Sequence, residues 1–134
     1  MNDSPQIARI ILHVGDIEQG TQFYSTLLGV QGKAVGGGRV YFECGPVILG
    51  ILNPAEGGTE PKPIPDILYF TVQNVEQVFE RAKKLNCLDP QDVHGEPAGN
   101  IAKRPWGERS FYAVDPWNNG LCFLEEKTLF RGRR

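Results

Sequence analysis

The feature that most constrains this chain is an internal repeat. Residues 8–19 read ARIILHVGDIEQ and residues 66–77 read DILYFTVQNVEQ, so Asp16-Ile17-Glu18-Gln19 falls on Asn74-Val75-Glu76-Gln77 at an offset of 58. Repetition of this kind makes each copy one supersecondary unit. Both fragments run from a β-rich stretch into a helix start. Asp16 and Asn74 are good N-caps, a Gln three residues on resembles a capping box, and Glu18 and Glu76 place negative charge at the positive end of the helix dipole. Val75, Val78, Phe79, Ala82 and Leu85 form one apolar helical stripe. In the first copy Ile17, Phe23, Tyr24, Leu27 and Leu28 are the apolar positions, and Gly29 suits a helix end. The pattern predicts helices over 16–29 and 74–86.

The likeness continues downstream. Arg39-Val40-Tyr41-Phe42 and Arg109-Ser110-Phe111-Tyr112 both read as strands, at an offset of 70. Each leads through a turn, at 44–46 and 115–120, into another apolar strand, Val47 to Leu52 and Leu121 to Glu125. The larger offset places a longer loop in the second copy, about 88–108, with room for a short extra strand. The chain is therefore read as one domain: module one about 8–53, a Pro/Gly-rich linker 54–65, module two about 66–126, and a basic tail 127–134. Strand, helix, then strands, twice over, is an α+β pattern with helices on one side of antiparallel sheets.

Composition narrows the function classes. The formal charge is −2 and the only basic cluster is Arg131, Arg133 and Arg134, so no nucleic-acid partner is expected. No apolar run approaches the ~20 residues that span a bilayer, and residues 1–7 lack a signal peptide's basic start and apolar core. Cys44, Cys87 and Cys122 are odd in number and share no CxxC spacing, as in a reduced cytoplasmic protein.

The stretch from Ile10 to Gly29, with Asp16, Phe23-Tyr24 and Leu27-Leu28-Gly29, resembles the opening of a vicinal oxygen chelate protein. Pro105-Trp106-Gly107, followed by Asp115-Pro116, Asn119 and Leu121, is similar to that family's closing motif. This superfamily holds glyoxalase I, bleomycin resistance proteins and extradiol dioxygenases. The resemblance covers about residues 8–126. It implies tandem β-α-β-β-β modules, with curved mixed sheets enclosing a cavity and helices on the outer face. It also implies a homodimer and a small organic ligand, but not a particular activity, since this scaffold hosts many.

Strand parity sorts the cavity-facing side chains, because successive residues alternate faces. Ile10, Leu12 and Val14 suit the helix side, leaving Arg9, Ile11 and His13 opposite. In the second copy Ile67, Tyr69 and Thr71 face inward, with Leu68, Phe70 and Val72 under the helix. Leu121 and Phe123 fit the core, so Cys122 and Leu124 face the cavity; Phe111 and Tyr112 are interchangeable on parity. The family's metal enzymes place two ligands per module, at positions that correspond here to Arg9, Gly50, Ile67 and Cys122. Gly and Ile offer no donor atom, Arg is a permanent cation, and a lone thiolate does not hold Mg²⁺, Mn²⁺ or Fe²⁺. No metal or other cofactor is expected. A displaced site using His13, Glu43 or Cys122 is the alternative; His13 lies four residues beyond Arg9, about 13 Å along the strand.

Each candidate has two readings. Arg9 is either an anion-binding group or a strand-end arginine reaching water or an acidic partner. His13 is either a general base or ligand donor, or a satisfied strand histidine. Cys122 is either a nucleophile or a buried inert thiol. Tyr69, Trp106 and Tyr112 are either an aromatic wall for a planar ligand or core packing. The preferred function is binding of a small organic molecule without a metal, through Arg9, Ile11, His13, Gly50, Ile67, Tyr69, Trp106, Tyr112 and Cys122. Alternatives are a lyase, isomerase or dioxygenase using a shifted metal site or His13 acid–base chemistry, and an interaction module with a vestigial pocket.

Overall fold

The computed structural model describes residues 4–132; of the basic tail, Arg133 and Arg134 lie outside the described residues. The chain divides into two compact units, one ending at Lys62 and the other beginning at Pro63. Each is taken by itself below.

The first unit runs β1 (Arg9–His13), α1 (Ile17–Leu28), β2 (Lys33–Val35), β3 (Arg39–Cys44) and β4 (Val47–Leu52). Asp16 caps α1 by accepting the Gln19 N–H at 2.9 Å, and Gly29, in the left-handed region at φ 68°, ends it. The strand order is β1-β4-β3-β2, with β1 parallel to β4 and the other pairs antiparallel. Apolar residues of one parity, Leu12, Val40, Phe42, Leu49 and Ile51, are buried, as are Phe23, Tyr24 and Leu27 of α1. Tyr24 meets Phe42 with ring centroids 6.1 Å apart, so the helix seats on one face of the sheet. Gly20 permits this approach, since a Cβ there would lie 3.0 Å from Ile51 Cδ1.

The second unit repeats the plan: β5 (Ile67–Val72), α2 (Val75–Lys84), β8 (Ala102–Lys103), β9 (Arg109–Val114) and β10 (Gly120–Glu125), in the order β5-β10-β9-β8. A small hairpin, β6 (Asp92–Val93) and β7 (Glu96–Pro97), occupies the longer loop. Asn74 caps α2 through the Gln77 N–H at 3.0 Å, and Arg81, Lys83 and Lys84 complement the dipole at its other end. Val75, Val78 and Ala82 are buried. Beneath them Phe79 stands edge-on to Phe111 at 5.4 Å, and Phe111 stacks on Phe123 and Phe123 on Phe70. Each such ring removed from water contributes roughly 1.5–3 kcal/mol.

The units are thus tandem β-α-β-β-β modules of an α+β fold, with sheets that are open rather than closed. One alignment needs correction. Tyr41 pairs with Gly50 and Tyr112 with Cys122, so β9 matches β3 at an offset of 71, where the repeat predicts 70. A one-residue slip exchanges the faces of a strand. This settles the ambiguous pair: Phe111 lies under α2 and Tyr112 on the opposite, helix-free face.

Candidate functional site

The helix-free face of the first unit carries Arg9, Ile11 and His13 from β1, Tyr41 from β3 and Gly50 from β4, with Ile11 paired opposite Gly50. This face is filled at Gly50. A Cβ there would stand 2.5 Å from Ile11 Cδ1 and 3.1 Å from the Tyr41 ring. Arg9 is exposed and makes no ion pair among the described residues, which favours the water-reaching arginine over a buried anion receptor. His13 is half-buried, and its Nδ1 accepts the backbone N–H of Lys62 at 3.1 Å. This bond ties the strand to the chain at Lys62.

On the second unit the helix-free face is layered. A buried cluster of Ala98, Tyr112, Cys122 and Leu124 packs against Ile67, Val93 and Leu129. Burial pushes the Cys122 thiol up to about 11, despite the Ser110 hydroxyl and the Arg104 charge, which act the other way. The raised thiol is the protonated form at neutral pH, which favours the buried inert thiol over the nucleophile. Burial raises the Tyr112 phenol strongly as well, with Cys122 and Tyr69 adding to it. Tyr112 and Tyr69 share a hydrogen bond, and Tyr69 leads from this layer to the surface, 53% exposed.

Two further residues come from the turn around Pro105-Trp106-Gly107, closed by Arg104 N–H to the Glu108 carbonyl at 2.7 Å and Gly107 N–H to the Arg104 carbonyl at 2.8 Å. Arg104 turns into the buried layer. Its Nε donates to Ser110 Oγ at 3.0 Å, and its Nη2 to the carbonyls of Ser110 at 2.8 Å and Asn100 at 3.2 Å. Nη1 has no hydrogen-bond partner, and the guanidinium lies 5.1 Å from the Tyr112 ring centroid, whose π face offers partial compensation. Glu108 turns the other way. Its carboxylate accepts the Trp106 indole N–H at 2.5 Å and the Phe130 backbone N–H at 2.9 Å. Tyr69, Trp106, Glu108 and Phe130 line an opening of about 430 Å³. His94 abuts Trp106 edge-on at 5.0 Å.

The predicted site residues fall in both units. Tyr69 and Trp106 meet at this opening; Tyr112, Cys122 and Ile67 form the layer of the same unit's helix-free face; Arg9, Ile11, His13 and Gly50 belong to the first unit. Arg104, Glu108 and Phe130 are missed by sequence reasoning. The usable signal was an Arg and a Glu flanking a Pro-Trp-Gly turn, where opposite charges close a hairpin; Phe130 sits in what reads as a tail.

The donor set at the family's four ligand positions does not fit a metal. Arg9 is cationic, Ile67 has no donor, the space beyond Gly50 Cα is taken by Ile11 and Tyr41, and Cys122 would be the one donor among the four. Among the described residues no group of three or more His, Cys, Asp or Glu gathers as a metal would need.

Two sheets, each with its first strand parallel to its last and one helix on one face, define a duplicated β-α-β-β-β protein. The Glyoxalase/Bleomycin resistance protein/Dioxygenase superfamily profile matches residues 6–123, and the chain belongs to that superfamily. Among solved structures it is similar to the oxidase ChaP-H1 (21% identity, 96% of this chain and 99% of that one, TM-score 0.76). It is also similar to a glyoxalase/bleomycin resistance protein from Albidiferax ferrireducens T118 (24% identity, 88% and 97%, TM-score 0.69). A third is lactoylglutathione lyase from Agrobacterium tumefaciens (20% identity, 92% and 95%, TM-score 0.64). At these identities the likeness concerns the fold. No curated protein sequence matches the chain.

Proposed function

We propose that this protein binds a small organic molecule at the opening on its second unit, without a metal at the superfamily's four ligand positions. The observation that carries this reading is the wall of that opening: Tyr69, Trp106 and Phe130 offer apolar rings, and Glu108 offers one placed polar group. Two of the walls are fixed in advance, because Glu108 ties the Trp106 indole to the Phe130 backbone. The unsuited donor set supports the metal-free part of the reading. The His13 acid–base alternative is disfavoured because its unprotonated nitrogen is engaged by Lys62. We also take the protein to be a cytoplasmic homodimer, for which light scattering on the purified chain is the check of assembly.

Two measurements test the reading. Elemental analysis of protein purified without chelator is expected to find no stoichiometric divalent metal; one Fe, Mn, Ni or Zn per chain would overturn the metal-free part. A thermal-shift screen of small aromatic and heteroaromatic compounds is expected to give hits, since a ligand at 100 times its Kd adds about 2.7 kcal/mol. Those hits are expected to vanish in Trp106→Leu. Hits that persist in that variant place the ligand elsewhere.

A further inference from the structure

Among the described residues that line the opening on the second unit, Glu108 is the charged one. Glu108 is 6% exposed, and both its oxygens are held by neutral donors, the Trp106 indole at 2.5 Å and the Phe130 amide at 2.9 Å. Among the described residues no cation stands within ion-pair distance of it; the ion pairs there join Arg109 to Glu76 and Glu125. Arg104, the other buried charge of the same turn, spends its donors on Ser110 and backbone carbonyls, lies against Tyr112, and does not line the opening. A buried carboxylate without a counter-ion is costly, and its natural complement is a cation.

The rest of the wall agrees. Tyr69, Trp106 and Phe130 are all aromatic, and an aromatic face attracts positive charge through its quadrupole, Trp most strongly. An anion would meet the carboxylate and three electron-rich rings. A neutral planar ligand would stack but leave Glu108 without a counter-charge. A cation satisfies both parts of the wall.

We propose that this opening is a receptor for an organic cation, an alkylammonium or a similarly charged nitrogen group, seated among Tyr69, Trp106 and Phe130 opposite Glu108. The inference rests on the opening being the ligand site and adds the charge of what it holds. Glu108 has two roles in it: it supplies the counter-charge and it holds the Trp106 indole and the Phe130 backbone through hydrogen bonds.

The test uses two probes of one shape: choline, and the alcohol in which a tert-butyl group replaces its trimethylammonium. Both are titrated into the intact protein carrying Trp117→Phe, which leaves Trp106 as the reporting indole of the two tryptophans. Choline is expected to change the fluorescence saturably and to bind about tenfold or more tighter than the neutral alcohol. Glu108→Gln is expected to remove that preference. Tyr69→Leu, at a position 53% exposed, is expected to weaken choline by about fivefold and carries the test where Glu108→Gln does not fold. Equal affinity for the two probes, or choline binding unchanged in both variants, overturns the cation inference and leaves small-molecule binding intact. Failure of both probes also overturns it, and the compound screen then decides separately whether the opening binds anything.

Discussion

Gly50 stands near where the family resemblance places a ligand position, and its lack of a side chain is enforced by neighbours. In Gly50→Ala the new methyl would start 2.5 Å from Ile11 Cδ1 and 3.1 Å from Tyr41 Cε1. Overpacking of a closed face costs about 1–3 kcal/mol. The lower part of that range applies, because Ile11 Cδ1 is the end of a side chain that can turn aside. Against it stands a gain of about 0.4–1 kcal/mol from restricting the unfolded chain. The net expectation is a loss of about 1 kcal/mol, or roughly 3 °C in Tm for a chain of this length. The decisive measurement is a double-mutant cycle with Ile11→Val, which deletes the clashing methyl. Ile11→Val alone costs about 0.5 kcal/mol at this half-buried site, and the double variant is expected to be more stable than the two single losses predict by about 1 kcal/mol. Urea denaturation of the four proteins reads this directly through Cm at constant m. A Gly50→Ala protein as stable as the parent, with additive behaviour in the cycle, would refute the reasoning. It would mean that the ligand position is open and only its donor is missing.

Other perturbations have definite signs. Burial raises the Cys87 and Cys122 thiols from 9.0 to about 11, so the folded state prefers their neutral forms. Their contribution to stability is then complete below pH 9 and is lost as pH rises toward 11, by roughly 1 kcal/mol per pH unit for each thiol. Denaturation midpoints at pH 8, 9 and 10 test this, and Cys87→Ala is expected to lower the slope but not abolish it, since Cys44, Tyr69 and Tyr112 are raised in the same sense; a flat profile would contradict it. Asp16→Ala removes the acceptor for the Gln19 N–H and is expected to cost about 1 kcal/mol, whereas Asp16→Asn is expected to be nearly neutral. Phe111→Ala removes a ring packed between Phe79 and Phe123 and is expected to cost about 3–5 kcal/mol, read by the same denaturation.

Much of the fold is legible in the sequence because its signals are local. Asp16, Asn74 and Gly29 perform their capping roles within one helical turn of where they stand, and β1 and β5 sort their faces by alternation. The register of β9 is not local. It depends on how residues 88–108 return to the sheet, and the hairpin β6–β7 and the two-residue β8 absorb the count in a way no periodicity records. An error of one residue there was enough to leave Tyr112 unassigned. The site failed to appear for a related reason. Glu108 and Phe130 are 22 residues apart and are joined by a side chain bonding to a backbone amide, a contact open to any sequence at position 130. The bond from the Lys62 amide to His13 spans 49 residues and is likewise invisible to local pattern.

The strand order has a consequence for how each unit fails. In both sheets the strand that comes last in the sequence lies inside the sheet, β4 between β1 and β3 and β10 between β5 and β9. All five residue pairs of β1 are with β4, and all six of β5 are with β10. A chain interrupted before Gly120 would therefore lose the middle of its second sheet and not a margin. β5 would be left without a ladder partner, and β9 with only the two-residue β8. The same holds during synthesis: Ile67 has no ladder partner until Gly120, 53 residues on, has emerged, so the edge of β5 stays unpaired until the closing strand arrives.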